Sequence, residues 1–209
     1  MTARWYFDFV SPFSYLHWQK MRPLVDAGRV EAVPIVFGAV LHALGQRGPA
    51  EIPKKRGFIY RQALWQAGRE GVRLRFPPAH PFNPLPALRL CVAAGATTTA
   101  IDAIFDGIWG EGQALDTAES LAGIAASLGI ADPAAALADP AVKDRLRAGT
   151  DAALAAGVFG VPTLDLDGEL LWGNDSHDLM LAALEDPALL REGALAGVDA
   201  LPVGIERRR

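Results

Sequence analysis

The chain opens on an aromatic and β-branched run, residues 5–10, that passes without a linker into Ser11-Pro12 and a helix-like stretch. A run of this kind and length makes a short buried strand. Serine followed by proline starts a helix, because the hydroxyl caps a free amide and the missing proline N–H costs nothing in the first turn. The sequence therefore predicts a strand over 5–10 that ends on a helix tip. The helix is expected over 13–25, bent or ended by Pro23, with Gly28 closing the turn. A second strand is expected over 30–37, at a sheet edge, because Pro34 cannot donate to a ladder.

The far end changes period. Residues 163–166 and 169–172 flank Asp167-Gly168, a two-residue hairpin signal, and 177–184 is spaced like a helix. Between the two ends, 38–139 reads as mostly helical. A helix is expected over 58–67, followed by a passage rich in proline (Pro77, Pro78, Pro81, Pro84, Pro86). Ile101, Ile104, Phe105, Ile108 and Trp109 recur at helical spacing, as do Leu121, Ile124, Ala125 and Leu128, which start from Asp116 or Thr117 and close on Gly129. Asp139-Pro140 starts a further long helix that ends at Gly157. Strand-helix-strand, a helical block, then helix-hairpin-helix is the chain order of a thioredoxin-like fold with an all-α insertion. The expected class is thus α/β, with 1–37 and 140–209 forming the thioredoxin-like domain and 38–139 the helical insertion. The tail from Ala194 carries little pattern, and 207–209 is expected to be a solvated end.

Composition narrows the function classes. With 51% apolar and 21% charged residues in 209, the chain can bury a sizeable core. A net charge of −4 argues against a dedicated nucleic-acid binder. No apolar run reaches the roughly 18 residues of a membrane span, and Asp8 interrupts the order a signal peptide needs. The expectation is a soluble, cytoplasmic protein. Cys91 is the only cysteine, which excludes an internal disulfide and a two-thiol redox centre; in its apolar, helical context it reads as a buried small hydrophobe. Seven cations between Lys54 and Arg75 face a single acid, Glu70. They read as a solvated face, or as a few cations serving an anionic small molecule, rather than as a nucleic-acid surface. His17, His42, His80 and His177 have no metal-ligand spacing, so no metal site is expected.

Three segments can carry chemistry. In a thioredoxin-like fold the active group sits at the tip of the first helix, where redox members place C-x-x-C. Here Ser11-Pro12-Phe13-Ser14 has serine at both positions, so disulfide exchange is excluded. Taken alone, Ser11 is an ordinary helix cap, although a hydroxyl there, in the field of the helix amides, can also donate to a ligand thiolate. No G-x-S-x-G turn supports a hydrolase. Val161-Pro162 precedes the hairpin; it reads either as a turn that starts a strand or, if the bond is cis, as a backbone edge that pairs with a peptide-like ligand. Trp172-Gly173-Asn174-Asp175 ends the hairpin as a helix cap, or as a site where amides hold a carboxylate and Asp175 an ammonium, the charges of a γ-glutamyl group.

Jointly, these segments resemble the 2-hydroxychromene-2-carboxylate isomerases, which belong with the kappa-class glutathione transferases. The likeness is carried by residues 6–16 (YFDFVSPFSYL), Trp109-Gly110-Glu111-Gly112, 158–163, and Trp172 to Asp175; Pro53-Lys54-Lys55 and His80-Pro81-Phe82-Asn83 also match. It spans roughly residues 5–184, and the joint occurrence outweighs the ordinary reading of each segment alone. The resemblance implies a homodimer with bound glutathione acting on a small aromatic carboxylate. Ser11 would then activate the thiol, Lys55 would hold a glutathione carboxylate, and Val161, before Pro162, would pair its backbone with the cysteinyl unit. Asn174 and Asp175 would hold the γ-glutamyl end. The implied chemistry is reversible thiolate addition, which makes a conjugated C=C temporarily single so that it can rotate. The chain departs from the pattern at Gln46, Gln62 and Ser176, where relatives often carry Asn, Asp and Arg. A glutathione transferase or peroxidase, and a non-catalytic binding module, are the alternatives.

Overall fold

The computed structural model describes residues 3–205; the solvated end expected at 207–209 lies outside them. The first strand, β1 (Ala3–Phe7), stops three residues earlier than the pattern predicts. The reason is Asp8: its Oδ1 accepts from the Val10 N–H at 3.0 Å and its Oδ2 from the Phe37 N–H at 2.9 Å, which turns the chain out of the sheet. Helix α1 (Pro12–Asp26) follows, capped by Ser11, and runs through Pro23 instead of ending there. Pro23 removes one backbone bond near the helix end, and Leu24 and Val25 beyond it pack on the core. Strand β2 (Val30–Pro34) is also shorter than expected: the Ile35 N–H still donates to the Phe7 carbonyl, but those of Val36 and Phe37 turn to Thr150 and Asp8.

Helices α2 (Phe37–Ala43) and α3 (Pro53–Glu70) come next. α3 extends both ways beyond the expected 58–67, starting on Pro53 and closing on Gly71 at φ 67°. Helices α4 (Leu85–Ala93) and α5 (Thr98–Phe105) follow, and α5 continues into a wide helical turn over Asp106–Gly110. Short α6 (Ala122–Ser127) and α7 (Pro133–Ala138) lead to long α8 (Pro140–Ala155), which starts on Asp139 as expected. The hairpin β3 (Thr163–Leu166) and β4 (Glu169–Trp172) has the predicted bounds. Its turn places Asp167 at φ 52° and Gly168 at φ 94°, both positive, as an Asp-Gly pair permits. Helix α9 (His177–Glu185) completes the order.

The sheet runs β2-β1-β3-β4, with β1 parallel to β2 and antiparallel to β3. Alternation along β1 sends its side chains to two layers. Trp5 and Phe7 join the larger core cluster with Trp18 of α1 and Phe105 of α5, whereas Tyr6 joins a smaller one with Ile35, Val158 and Val161. This is the α/β, thioredoxin-like arrangement with added helices. The larger cluster is continuous from β1 through α4 and α5. Trp18 Nε1 donates to Asp102 Oδ1 at 2.6 Å, and Arg22 pairs with the same carboxylate at 2.8 Å, tying α1 to α5. Cys91 is wholly buried, and burial pushes its thiol well up, as befits a packing residue. Among the described residues no helix is long and apolar enough to cross a membrane.

Candidate active site

The tip of α1 is built by the turn after β1. Ser11 N–H donates to the Asp8 carbonyl at 3.1 Å, and Ser11 Oγ accepts from the Ser14 N–H at 3.1 Å. The cap is thus present, and the hydroxyl keeps its own proton for donation elsewhere. Ser11 is only 8% exposed, and Ser14 is fully buried with its Oγ unpartnered. Asp8, beneath the turn, is fully enclosed; burial pushes its carboxyl up to about 7 against two backbone amides that favour the charged form.

Two carbonyls beside the tip are held by the helical segment. Trp109 Nε1 donates to the Phe9 carbonyl at 2.8 Å, and His80 Nε2 donates to the Val10 carbonyl at 2.8 Å. Around them Tyr60, Phe76, His80, Phe82 and Trp109 pack mainly edge to face or tilted, and Tyr60 Oη lies 2.7 Å from His80 Nδ1. Burial holds His80 below its ordinary pKa, with Arg56 near enough to add to the effect. An aromatic wall therefore stands next to the serine.

The Phe159-Gly160-Val161 loop flanks the sheet end. Val161–Pro162 is cis, as is His80–Pro81. Among the described residues no hydrogen bond engages the Val161 N–H or C=O. At Gly160 a Cβ would lie 2.5 Å from Trp172 Nε1, so the indole would have to shift to admit one.

A polar cavity of about 340 Å³ opens where α1, α3 and the turn Asn174–Ser176 meet, lined by Lys20, Trp65, Gln66, Arg69, Glu70, Asn174, Asp175, His177 and Asp178. Lys20 Nζ donates to Glu70 Oε1 at 2.7 Å and to Asn174 Oδ1 at 3.1 Å, while Asn174 Nδ2 donates to Gln66 Oε1 at 3.1 Å. Behind the wall, Trp5 Nε1 donates to His17 Nδ1 at 2.9 Å, and His17 Nε2 lies 3.1 Å from His177 Nδ1. The walls carry both signs, with Lys20 and Arg69 against Glu70, Asp175 and Asp178, which suits a zwitterionic end group.

Of the residues singled out from sequence, Asn174 and Asp175 line this cavity, while Ser11 and Val161 lie outside its wall. Lys55 is exposed in the first turn of α3. Lys20, Gln66, Glu70 and the His17–His177 pair were not anticipated; the one hint was Glu70, alone among seven cations. The donor set fits a peptide thiol: a hydroxyl at a positive helix end, an unpaired backbone N–H and C=O at Val161, and a cavity of mixed charge.

Residues 2–185 match the model of the DSBA-like thioredoxin domain family. The fold and the serine-bearing tip thus define a DsbA-like thioredoxin-domain protein without the redox cysteines. The 2-hydroxychromene-2-carboxylate isomerase of Pseudomonas putida is 32% identical over 191 residues, covering 88% of this chain and 94% of its own. That of Sphingobium xenophagum is 30% identical over 193 residues, covering 88% and 98%. A solved 2-hydroxychromene-2-carboxylate isomerase superposes with a TM-score of 0.77 at 26% identity, over 97% of this chain and 100% of its own. Glutathione s-transferase kappa 2 of Caenorhabditis elegans is 24% identical over 208 residues, covering 89% and 92%. The chain belongs to the 2-hydroxychromene-2-carboxylate isomerase family, a family of enzymes.

Proposed function

We propose that this enzyme is a glutathione-dependent cis–trans isomerase that interconverts 2-hydroxychromene-2-carboxylate-type hemiketals and trans-o-hydroxybenzylidenepyruvates. The observation that carries the reading is Ser11: a helix-capping hydroxyl whose own proton stays free, at the positive end of α1 and next to an aromatic wall. Bound glutathione supplies a thiolate, which adds reversibly to the conjugated double bond of the ring-opened substrate and lets it rotate.

The chain's own residues do the rest. Ser11 donates to the thiolate, and the α1 amides add their field. Together they lower the thiol pKa by about one or two, worth about 1.4 to 2.7 kcal/mol. The Val161 N–H and C=O pair with the cysteinyl unit beside Pro162. Asp175 takes the glutamyl ammonium, with Asn174 ordering the wall next to it. Lys55 takes the carboxylate at the other end. Lys55 and Gln66 stand about 16 Å apart along α3, and an extended tripeptide spans about 10–11 Å, so a long lysine side chain closes the difference. The aromatic wall receives the small aromatic carboxylate, with Arg56 near Tyr60 and His80 as the cation for its pyruvate group.

The chain is also read as a cytoplasmic homodimer in aromatic degradation. Support for a dimer is the exposure of Phe58 and Trp65, at 63% and 60%, two turns apart on α3; light scattering checks it. Ser11→Ala tests the activity: it should keep the fold, at a cost of about 1 kcal/mol for the lost cap, and lose about 100-fold in turnover, whereas near-wild-type turnover refutes the role. Chromene carboxylate, aryl halide and peroxide substrates assayed side by side separate isomerase from transferase or peroxidase.

A further inference from the structure

His177 lines the polar cavity, and no role given above uses it. Its protonation pattern follows from its neighbours. An indole N–H only donates, so His17 Nδ1, 2.9 Å from Trp5 Nε1, accepts. Neutral His17 then carries its proton on Nε2, which lies 3.1 Å from His177 Nδ1. His177 Nδ1 accepts in turn, so its proton sits on Nε2, on the ring edge away from His17. Among the described residues that nitrogen has no protein partner, and it is not among the sealed, unpartnered polar atoms, so solvent reaches it. Burial and nearby Lys20 keep both rings below the ordinary histidine pKa, with Asp178 and Glu70 opposing this only in part at His177. The cavity thus holds a neutral N–H donor of fixed tautomer beside Lys20 and Arg69.

We propose that His177 contacts the ligand, donating its Nε2–H to the α-carboxylate of the γ-glutamyl end, and that Trp5 and His17 are positioning residues that fix the donor. The proposal rests on the glutathione reading. Its chemistry is that of an amino-acid end group: a carboxylate on the donor and the cations, an ammonium on Asp175 and Asp178.

The test is calorimetric titration of the full chain with glutathione and with 4-aminobutyryl-cysteinylglycine, which lacks only that α-carboxylate. His177→Phe should weaken glutathione binding about tenfold or more and leave the analogue within about twofold. His177→Gln, which keeps an N–H donor, should recover part of the loss. Long-range proton–nitrogen correlation spectra of the wild type should show the Nε2–H tautomer for both His17 and His177. An Nδ1–H tautomer at His177, wild-type binding of both peptides by His177→Phe, or an equal loss for both overturns the inference alone. A wild type that binds neither peptide refutes the glutathione reading and takes this inference with it.

Discussion

The two sides of the site are made differently. The aromatic wall beside Ser11 is packed ring edge against ring, and its indole N–H and one imidazole N–H go to backbone: Trp109 to the Phe9 carbonyl and His80 to the Val10 carbonyl. It fixes where the helix tip stands. The polar cavity is assembled from side chains of three separate segments bonded to each other, with Lys20, Glu70, Gln66 and Asn174 sharing donors and acceptors. Its order depends on charge and on partners a ligand can replace. The dry side therefore governs folding and placement, and the wet side governs affinity.

Perturbations should separate the two. The largest effect is expected on the dry side: Trp109→Ala should cost about 3–5 kcal/mol in urea unfolding and lower turnover as the tip loosens. Asp8 comes next. Its carboxyl ionises at about 7 in the fold against an ordinary value of 3.8. The native state therefore holds more protons than the unfolded chain across that window, and stability falls as pH rises from 3.8 through about 7. Asp8→Asn should flatten that slope in unfolding measured across the range. Gly160→Ala, whose Cβ would meet the Trp172 indole, should cost about 1–3 kcal/mol by the same measurement. The smallest stability effect belongs to the wet side. Lys20→Met should change unfolding by about 1 kcal/mol or less, yet weaken glutathione binding in calorimetry. If Lys20→Met unfolds the chain as Trp109→Ala does, the division between the two sides is wrong.

Legibility in the sequence follows the range of the interactions. The hairpin was readable to the residue because Asp167-Gly168 makes its own turn, and the caps at Ser11 and Asp139 act within three residues. The end of β1 is not legible, because an aromatic, β-branched run hides that the Asp8 carboxylate captures an amide as distant as Phe37. Pro23 does not end α1, because the helix draws its stability from the core it packs on. The cavity was half readable. Asn174 and Asp175 stand in a motif, but Lys20 and Glu70 reach Asn174, and His17 reaches His177, from remote segments, and no local periodicity marks such partners. For the aromatic wall, the segments around Trp109 and His80 are legible as motifs, but the Phe9 and Val10 carbonyls they hold are not.

The central claim is that the Ser11 hydroxyl and the α1 tip hold a glutathione thiolate. Ultraviolet thiolate titration of glutathione bound to the wild type and to Ser11→Ala tests it directly. In the wild type the bound thiol should ionise at a pH about one to two below that of free thiol, and in the variant, where only the α1 amides act, part of the way back toward the free value of about 8.5. The same ionisation pH in both proteins would contradict it.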